Sequence, residues 1–310
     1  MVVVTGVSGS GKSTLVKDVI YNGMKRNIGA YSVVSGKIDN ISGYEKFSFV
    51  ELVDQSPIGK SSRSTPATYT KAFDTIRDIY ASTIQAKQLG WRAGHFSFNV
   101  PGGRCEECQG EGSVTVEMQF LPDITLECEA CKGTRYKKEA REILYKGKSV
   151  VDILNMTVVQ ALEFFDDVPK VKNRLITLND VGLGYLQLGQ PSNMLSGGES
   201  QRIKLAASLD SSFNEPVLYI FDEPTTGLHL DDISKLIKCF YQLVEKGHSV
   251  IIIEHNIHVI AAADYIIDLG PEAGEKGGMV IAKGPPSKII KSSISYTGKA
   301  LKEYFDNYME

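Results

Sequence analysis

The sequence predicts an α/β protein built on a mostly parallel sheet, with a four-cysteine module inserted into it. Three observations carry this. Short apolar runs such as "VVVT", "VLYIF" and "SVIIIE" alternate with stretches of helical periodicity, the pattern of strands buried on both faces and joined by helices. A glycine-rich loop, "GVSGSGKST", comes directly after the first run and opens a helix. Two C-x-x-C pairs, nineteen residues apart, interrupt the alternation.

Taken in order, "VVVT" reads as a buried parallel strand and residues 13–25 as a helix, with Ser13 and Thr14 at its start. "FSFVELVD" (47–54) is another strand, and 72–88 has helical periodicity. The cysteine module spans 95–148; its interior, "VTVEMQF", alternates apolar and polar residues as a hairpin strand does. The pattern is helical over 149–190. A Gly-Gly turn then leads into a helix near 199–210. "VLYIF", a helix near 231–246, "SVIIIE", "YIIDL" and a short edge strand "MVIAKG" complete the alternation, and 285–310 is helical and charged. The expected division is 1–94 and 211–310 as the nucleotide-binding core, 95–148 as a zinc-binding insert and 149–210 as a helical subdomain.

The 310 residues suffice for one large or two modest domains, and 42% apolar content can bury a sizeable core. The net charge of −3 excludes a polycation, so any contact with nucleic acid needs a local basic surface. No run of 18 apolar residues exists, so no transmembrane helix is expected, and no basic segment precedes "VVVT" as a signal peptide requires. Four of the five cysteines fall in C-x-x-C spacing, and Cys239 sits in a predicted helix as a core residue. This is not a secreted disulfide scaffold; a reducing cytoplasm fits it best.

The loop Gly6-x-x-x-x-Gly11-Lys12-Ser13, with Gly9 and Thr14, has the spacing and the strand–helix flanks of a phosphate-binding loop. Its glycines let backbone N–H groups turn inward around the phosphates of ATP; Lys12 reaches the β- and γ-phosphates, and Ser13 offers a hydroxyl to Mg²⁺. Asp222 and Glu223 close a buried strand in "VLYIFDEPTTGLH", where ligands of open α/β sheets bind. Asp222 is the expected Mg²⁺ partner and Glu223 the general base for the attacking water. The bland alternative is a pair of carboxylates capping the next turn. His255 lies just beyond "SVIIIE" and is placed to meet the γ-phosphate, although a lone histidine is more often structural. Gln55, at the end of another predicted strand, is a candidate for both Mg²⁺ and the attacking water, against a solvated loop amide.

Cys105, Cys108, Cys128 and Cys131 have the spacing of a closed tetrahedral zinc site, whose four thiolates leave no open position for catalysis. Gly110 and Gly133 ease the two knuckles. Seven cations lie between Lys132 and Lys148, against only Glu139 and Glu142. Arg104, Lys132, Arg135, Lys137 and Lys138 are therefore candidates to neutralise DNA phosphates, with a solvated basic face as the alternative.

In "LSGGESQRIKLA", Ser196 can cap a helix while Gly197 and Gly198 bare backbone N–H groups beside Leu195 and Glu199. With this stretch the motifs stand in the order of an ATP-binding cassette (ABC) ATPase, and the chain resembles that family. The resemblance implies that Leu195–Glu199 close on the ATP of a partner cassette, so that two nucleotides join two cassettes head to tail. The phrases "GVSGSGKSTL", "GGRCEECQGEG", "CKGTRY", "DEPTTGLH" and "IEHN" further resemble the UvrA family, in its C-terminal half with the second cassette. That resemblance implies a cytoplasmic homodimer or paired cassette that hydrolyses ATP, binds damaged duplex DNA in nucleotide excision repair and hands it to a UvrB-like partner. The expected cofactors are ATP, Mg²⁺ and one structural Zn²⁺. On the same resemblance the chain is expected to lack the first cassette, and the strands and adenine-stacking aromatic that precede an ABC phosphate loop. Three alternatives stay open: a transporter motor, disfavoured by the Cys₄ insert; a non-hydrolysing ATP-clamped DNA-binding or self-resistance paralogue; and a fragment that needs the missing N-terminal half.

Overall fold

Among the described residues, ten strands form in chain order: β1 Val2–Gly6, β2 Phe49–Val53, β3 Ser113–Val116, β4 Ile124–Glu127, β5 Leu144–Tyr145, β6 Lys148–Ser149, β7 Val217–Asp222, β8 Ser249–Ile253, β9 Tyr265–Gly270 and β10 Met279–Gly284. The computed structural model describes residues 1–29, 34–59, 61–116, 118, 124–210 and 215–308. The chain divides into two compact units, Met1–Gln55 with Ser211–Glu310, and Ser56–Asp210. No described helix is long and apolar enough to cross a membrane.

The first unit holds a six-stranded sheet in the order β10-β9-β1-β8-β7-β2. Every pairing is parallel except that of β10 with β9, which bears out the mostly parallel α/β expectation. The apolar strands are apolar because both faces are covered: Val4, Val50, Leu218, Ile220 and Ile253 form one core cluster with Val16 and Met24 of the first helical segment. That segment begins with a π-wound stretch, Thr14–Tyr21, continues as an α-helix over Asn22–Ile28 and stops at Gly29, whose φ is 126°. Leu230–Glu245 buries Ile233, Leu236, Cys239, Phe240 and Leu243 on one face, so Cys239 is the core residue the sequence predicted. β10 lies at the edge, with Met279 and Val280 exposed.

In the second unit the 72–88 periodicity is two helices, Ala72–Ser82 and Ile84–Gln88. Thr83 divides them: its backbone is extended and its Oγ1 accepts the Ala86 N–H at 3.2 Å, an N-cap that restarts the helix at an angle. The 149–190 stretch is likewise three helices, Val150–Asn155, Val158–Phe164 and Pro169–Asp180. Ser149–Asp152 and Thr157–Gln160 are reciprocal capping boxes, and Pro169 opens the third helix at its first turn. β3 and β4 pair antiparallel as the expected hairpin; the end of that predicted strand, Glu117 with residues 119–120, lies outside the described residues. Reading by periodicity passed over the small β5–β6 pair and the short helix Lys138–Glu142.

Candidate functional site

Parallel pairing sends the carboxyl ends of β1, β7, β8 and β9 to one edge of the sheet, with Val4 beside Ile253, and Ile253 beside Asp222. The residues just past the end of each strand therefore gather there. β1 runs into the phosphate loop. Gly6 is required at its end: φ is 132°, and a Cβ would stand 2.0 Å from the Leu269 carbonyl oxygen. The loop after β9 braces the phosphate loop from outside, with the Gly274 N–H donating to Gly9 O at 3.2 Å and the Gly278 N–H to Ser10 O at 3.0 Å. Lys12 is buried, and its Nζ donates to Gly6 O at 3.0 Å and Val7 O at 2.8 Å. Burial lowers its pKa, against Glu223, Asp268 and Asp222, whose charges raise it. Gly9, Ser13 and Thr14 face solvent and Gly11 is partly covered, which leaves the concave side of the loop open to a ligand.

β7 delivers Asp222 and Glu223. Asp222 forms an ion pair with Lys17 of the π-wound segment. Glu223 has a φ of 48°, a left-handed conformation unusual for a residue with a Cβ. Its N–H donates to Ile253 O at 2.9 Å, which ties the turn to β8. His255 Nε2 lies 3.7 Å from a Glu223 carboxylate oxygen, and both side chains are about half exposed. Residue 254 between β8 and His255 is a buried glutamate; its carboxylate accepts from Thr225, His255 and Asn256. Gln55 is exposed, two residues beyond β2.

The signature stretch belongs to the second unit. Ser196 caps the helix Gly197–Leu209: its Oγ accepts the Glu199 N–H at 3.2 Å, and Glu199 Oε2 accepts the Ser196 N–H at 2.7 Å. Tyr185 O–H donates to Glu199 Oε1 at 2.7 Å. Leu195 precedes the cap in extended conformation.

Cys105, Cys108, Cys128 and Cys131 are all buried and free, with their sulfur atoms within 4.8 Å of one another. Cys105 and Cys128 stand 3.9 Å apart and Cys108 and Cys131 3.7 Å, far beyond a disulfide bond. Four thiolates at ~2.3 Å from a tetrahedral ion would sit about 3.8 Å apart, so the donor set fits such a metal. Gly110 allows the first knuckle: its φ is 85°, and a Cβ would lie 1.9 Å from Phe98 O. Burial pushes the Cys131 thiol up to about 12 and raises Cys108, while the Cys131 amide lowers Cys128.

The candidate DNA-contacting cations are not alike. Lys132 and Lys138 are exposed, the latter within 3.7 Å of Glu142. Lys137 pairs with Glu106 at 2.9 Å, and Arg104 Nη1 donates to Asn99 O at 3.3 Å. Arg135 is buried, its guanidinium 5.0 Å from the Phe98 ring centroid. Sequence reading passed over Lys17, the loop after β9 and Glu254. A charge directly after four apolar strand residues was the one local sign of Glu254.

No protein-family model matches the chain. It is 55% identical over 304 residues to UvrABC system protein A of Clostridium perfringens and 54% identical over 306 residues to UvrABC system protein A of Staphylococcus aureus (strain COL). These alignments cover 98% and 99% of this chain and 32% of each relative, so the chain spans about a third of the length of the curated relatives it matches. Among solved structures, that of UvrA2 from Deinococcus radiodurans agrees with a TM-score of 0.89 at 46% identity, over 98% of this chain and 37% of that one.

Proposed function

We infer that this chain, a homologue of part of UvrABC system protein A, is an ATP-hydrolysing cassette that engages damaged duplex DNA in nucleotide excision repair. The observation that carries the reading is the meeting of a phosphate loop, an acid turn and a histidine at one sheet edge in a chain 55% identical to such a protein.

In this reading Lys12 exchanges its loop carbonyls for the β- and γ-phosphates, with Gly6, Gly9, Gly11 and Thr14 shaping the loop around them. Ser13, Asp222 and Gln55 would hold Mg²⁺, and Asp222 already pairs with a cation, Lys17. Bound Mg²⁺ supplies neutralising charge to the phosphate oxygens. Glu223 takes the proton of the attacking water, and His255, whose Nε2 lies 3.7 Å from the Glu223 carboxylate, meets the γ-phosphate. Leu195, Ser196, Gly197, Gly198 and Glu199 close on the nucleotide of a second cassette, from another copy or another half. The Cys₄ set takes one structural Zn²⁺, and the 95–148 insert presents Arg104, Lys132, Lys137 and Lys138 to DNA phosphates. Arg135, buried against the Phe98 ring, is not among the cations presented. A cytoplasmic setting and a UvrB-like partner are inferred from the same kinship.

The test is Mg²⁺-dependent ATP turnover by the purified chain, with and without duplex DNA, for wild type and Glu223→Gln. Turnover that DNA changes, and that the variant loses by at least about a hundredfold, supports the reading. Nucleotide binding with no turnover in wild type supports the non-hydrolysing clamp instead.

A further inference from the structure

We propose that Glu254 is a positioning residue that holds the Glu223 turn and His255 in one frame; this rests on the ATPase reading above. Its side chain is almost wholly buried, at 3% exposure for the residue. One carboxylate oxygen accepts the Thr225 N–H at 2.9 Å and the Thr225 hydroxyl at 2.6 Å. The other accepts the N–H groups of His255 at 2.7 Å and Asn256 at 2.9 Å. The Glu254 N–H donates to Val4 O, in the strand that feeds the phosphate loop, at 3.2 Å.

A carboxylate with four donors on it is a strong, directional clamp, since each bond is charge-assisted. Its position explains Glu223. A left-handed residue with a Cβ persists only where its surroundings over-determine it. On the upstream side the Glu223 N–H is fixed to Ile253 O. On the downstream side the Glu223 carbonyl accepts from the Thr226 hydroxyl at 3.0 Å, and Thr225, between them, is held by Glu254. Without that hold the turn can relax, and the Glu223 carboxylate leaves the place from which it faces His255. Glu254 itself touches no reacting atom; its effect passes through the turn.

The decisive substitution is Glu254→Gln. A carboxamide has the same shape but one acceptor oxygen, and its NH₂ would confront two donors. We expect kcat for ATP to fall about tenfold or more with KM changed by less than about threefold, because the phosphate loop is left intact. We also expect hydrogen exchange in peptides spanning 222–228 and 253–258 to quicken about tenfold, while peptides of the second unit keep wild-type rates. Tyr241→Phe, which removes a hydroxyl bonded to Ala262 O in the same unit, controls for general loosening and should leave both readouts at wild-type values. If Glu254→Gln does not fold, Thr225→Val removes one of the four bonds and should move both readouts in the same direction by a smaller factor. Wild-type kcat, or wild-type exchange in both peptides, overturns the proposal. If the wild-type chain turns over no ATP, the functional reading fails, and the exchange measurement alone still decides whether Glu254 holds the turn.

Discussion

Glu223, at a φ of 48°, is where local backbone rules and function part company. A glycine there would be relaxed but would carry no carboxylate, so under the proposed function strain is accepted for chemistry. Away from that edge, Tyr136 is fully buried and its O–H donates to Phe96 O at 2.7 Å; burial raises its pKa. Tyr136→Phe leaves that carbonyl unpaired, and chemical denaturation should show a loss of about 1–3 kcal/mol. Asp152 gives a pH signature. The Ser149 N–H, at 2.8 Å, holds its carboxyl below the usual carboxylate range. A carboxylate with a depressed folded pKa adds stability above its unfolded value, near ~3.9, and loses it as pH falls through the folded pKa. The melting-temperature advantage of wild type over Asp152→Asn should therefore be full above about pH 4 and shrink below it. A difference that stays constant across that range contradicts the assignment. The effect is small, since the group is solvent-screened.

At the scale of elements, the cysteine module combines two buried parts, an aromatic and apolar one with Phe96, Phe98, Tyr136 and Ile143, and a separate set of four thiols that could hold a metal ion. The four cysteines cluster by themselves, and the paired residues Val114 with Leu126 and Val116 with Ile124 are exposed along the hairpin. Such a hairpin is marginal without a staple, and structural zinc supplies on the order of 10 kcal/mol in small domains of this kind. Cys128→Ser should lower the zinc content and open the 105–136 region to proteolysis, with nucleotide binding by the other unit retained. Uncleaved, metal-free protein would contradict this. Under the proposed function, Cys105→Ala with Cys108→Ala should also abolish discrimination of damaged from intact duplex while sparing some ATP turnover. The capped helices were legible in the sequence because Ser149–Asp152, Thr157–Gln160 and Ser196–Glu199 are neighbours in the chain. The break at Thr83 was not, because a threonine reads as helix interior until its hydroxyl is seen to cap the next turn.

For the whole molecule, the proposed function has the signature stretch close on a nucleotide held by another cassette. Glu223→Gln, saturated with Mg²⁺-ATP, should sediment at twice the chain mass, and nucleotide-free protein at the chain mass; trapped ATP stabilises the pair by mass action. A variant that stays single under saturating ATP contradicts the two-cassette arrangement. The sequence by itself determined the phosphate loop, the acid pair, the cysteine knuckles and the strand–helix alternation, since each depends on spacing within a few residues. Only the tertiary structure decided that Lys17 faces Asp222, that Arg135 is buried beside Phe98, and that Glu254 reaches Thr225, twenty-nine positions earlier. The first and last of those contacts depend on the order β10-β9-β1-β8-β7-β2, which sets β7 and β8 side by side near β1. Strands far apart in the chain choose their neighbours and register through burial of their shared faces, and no local spacing encodes that choice.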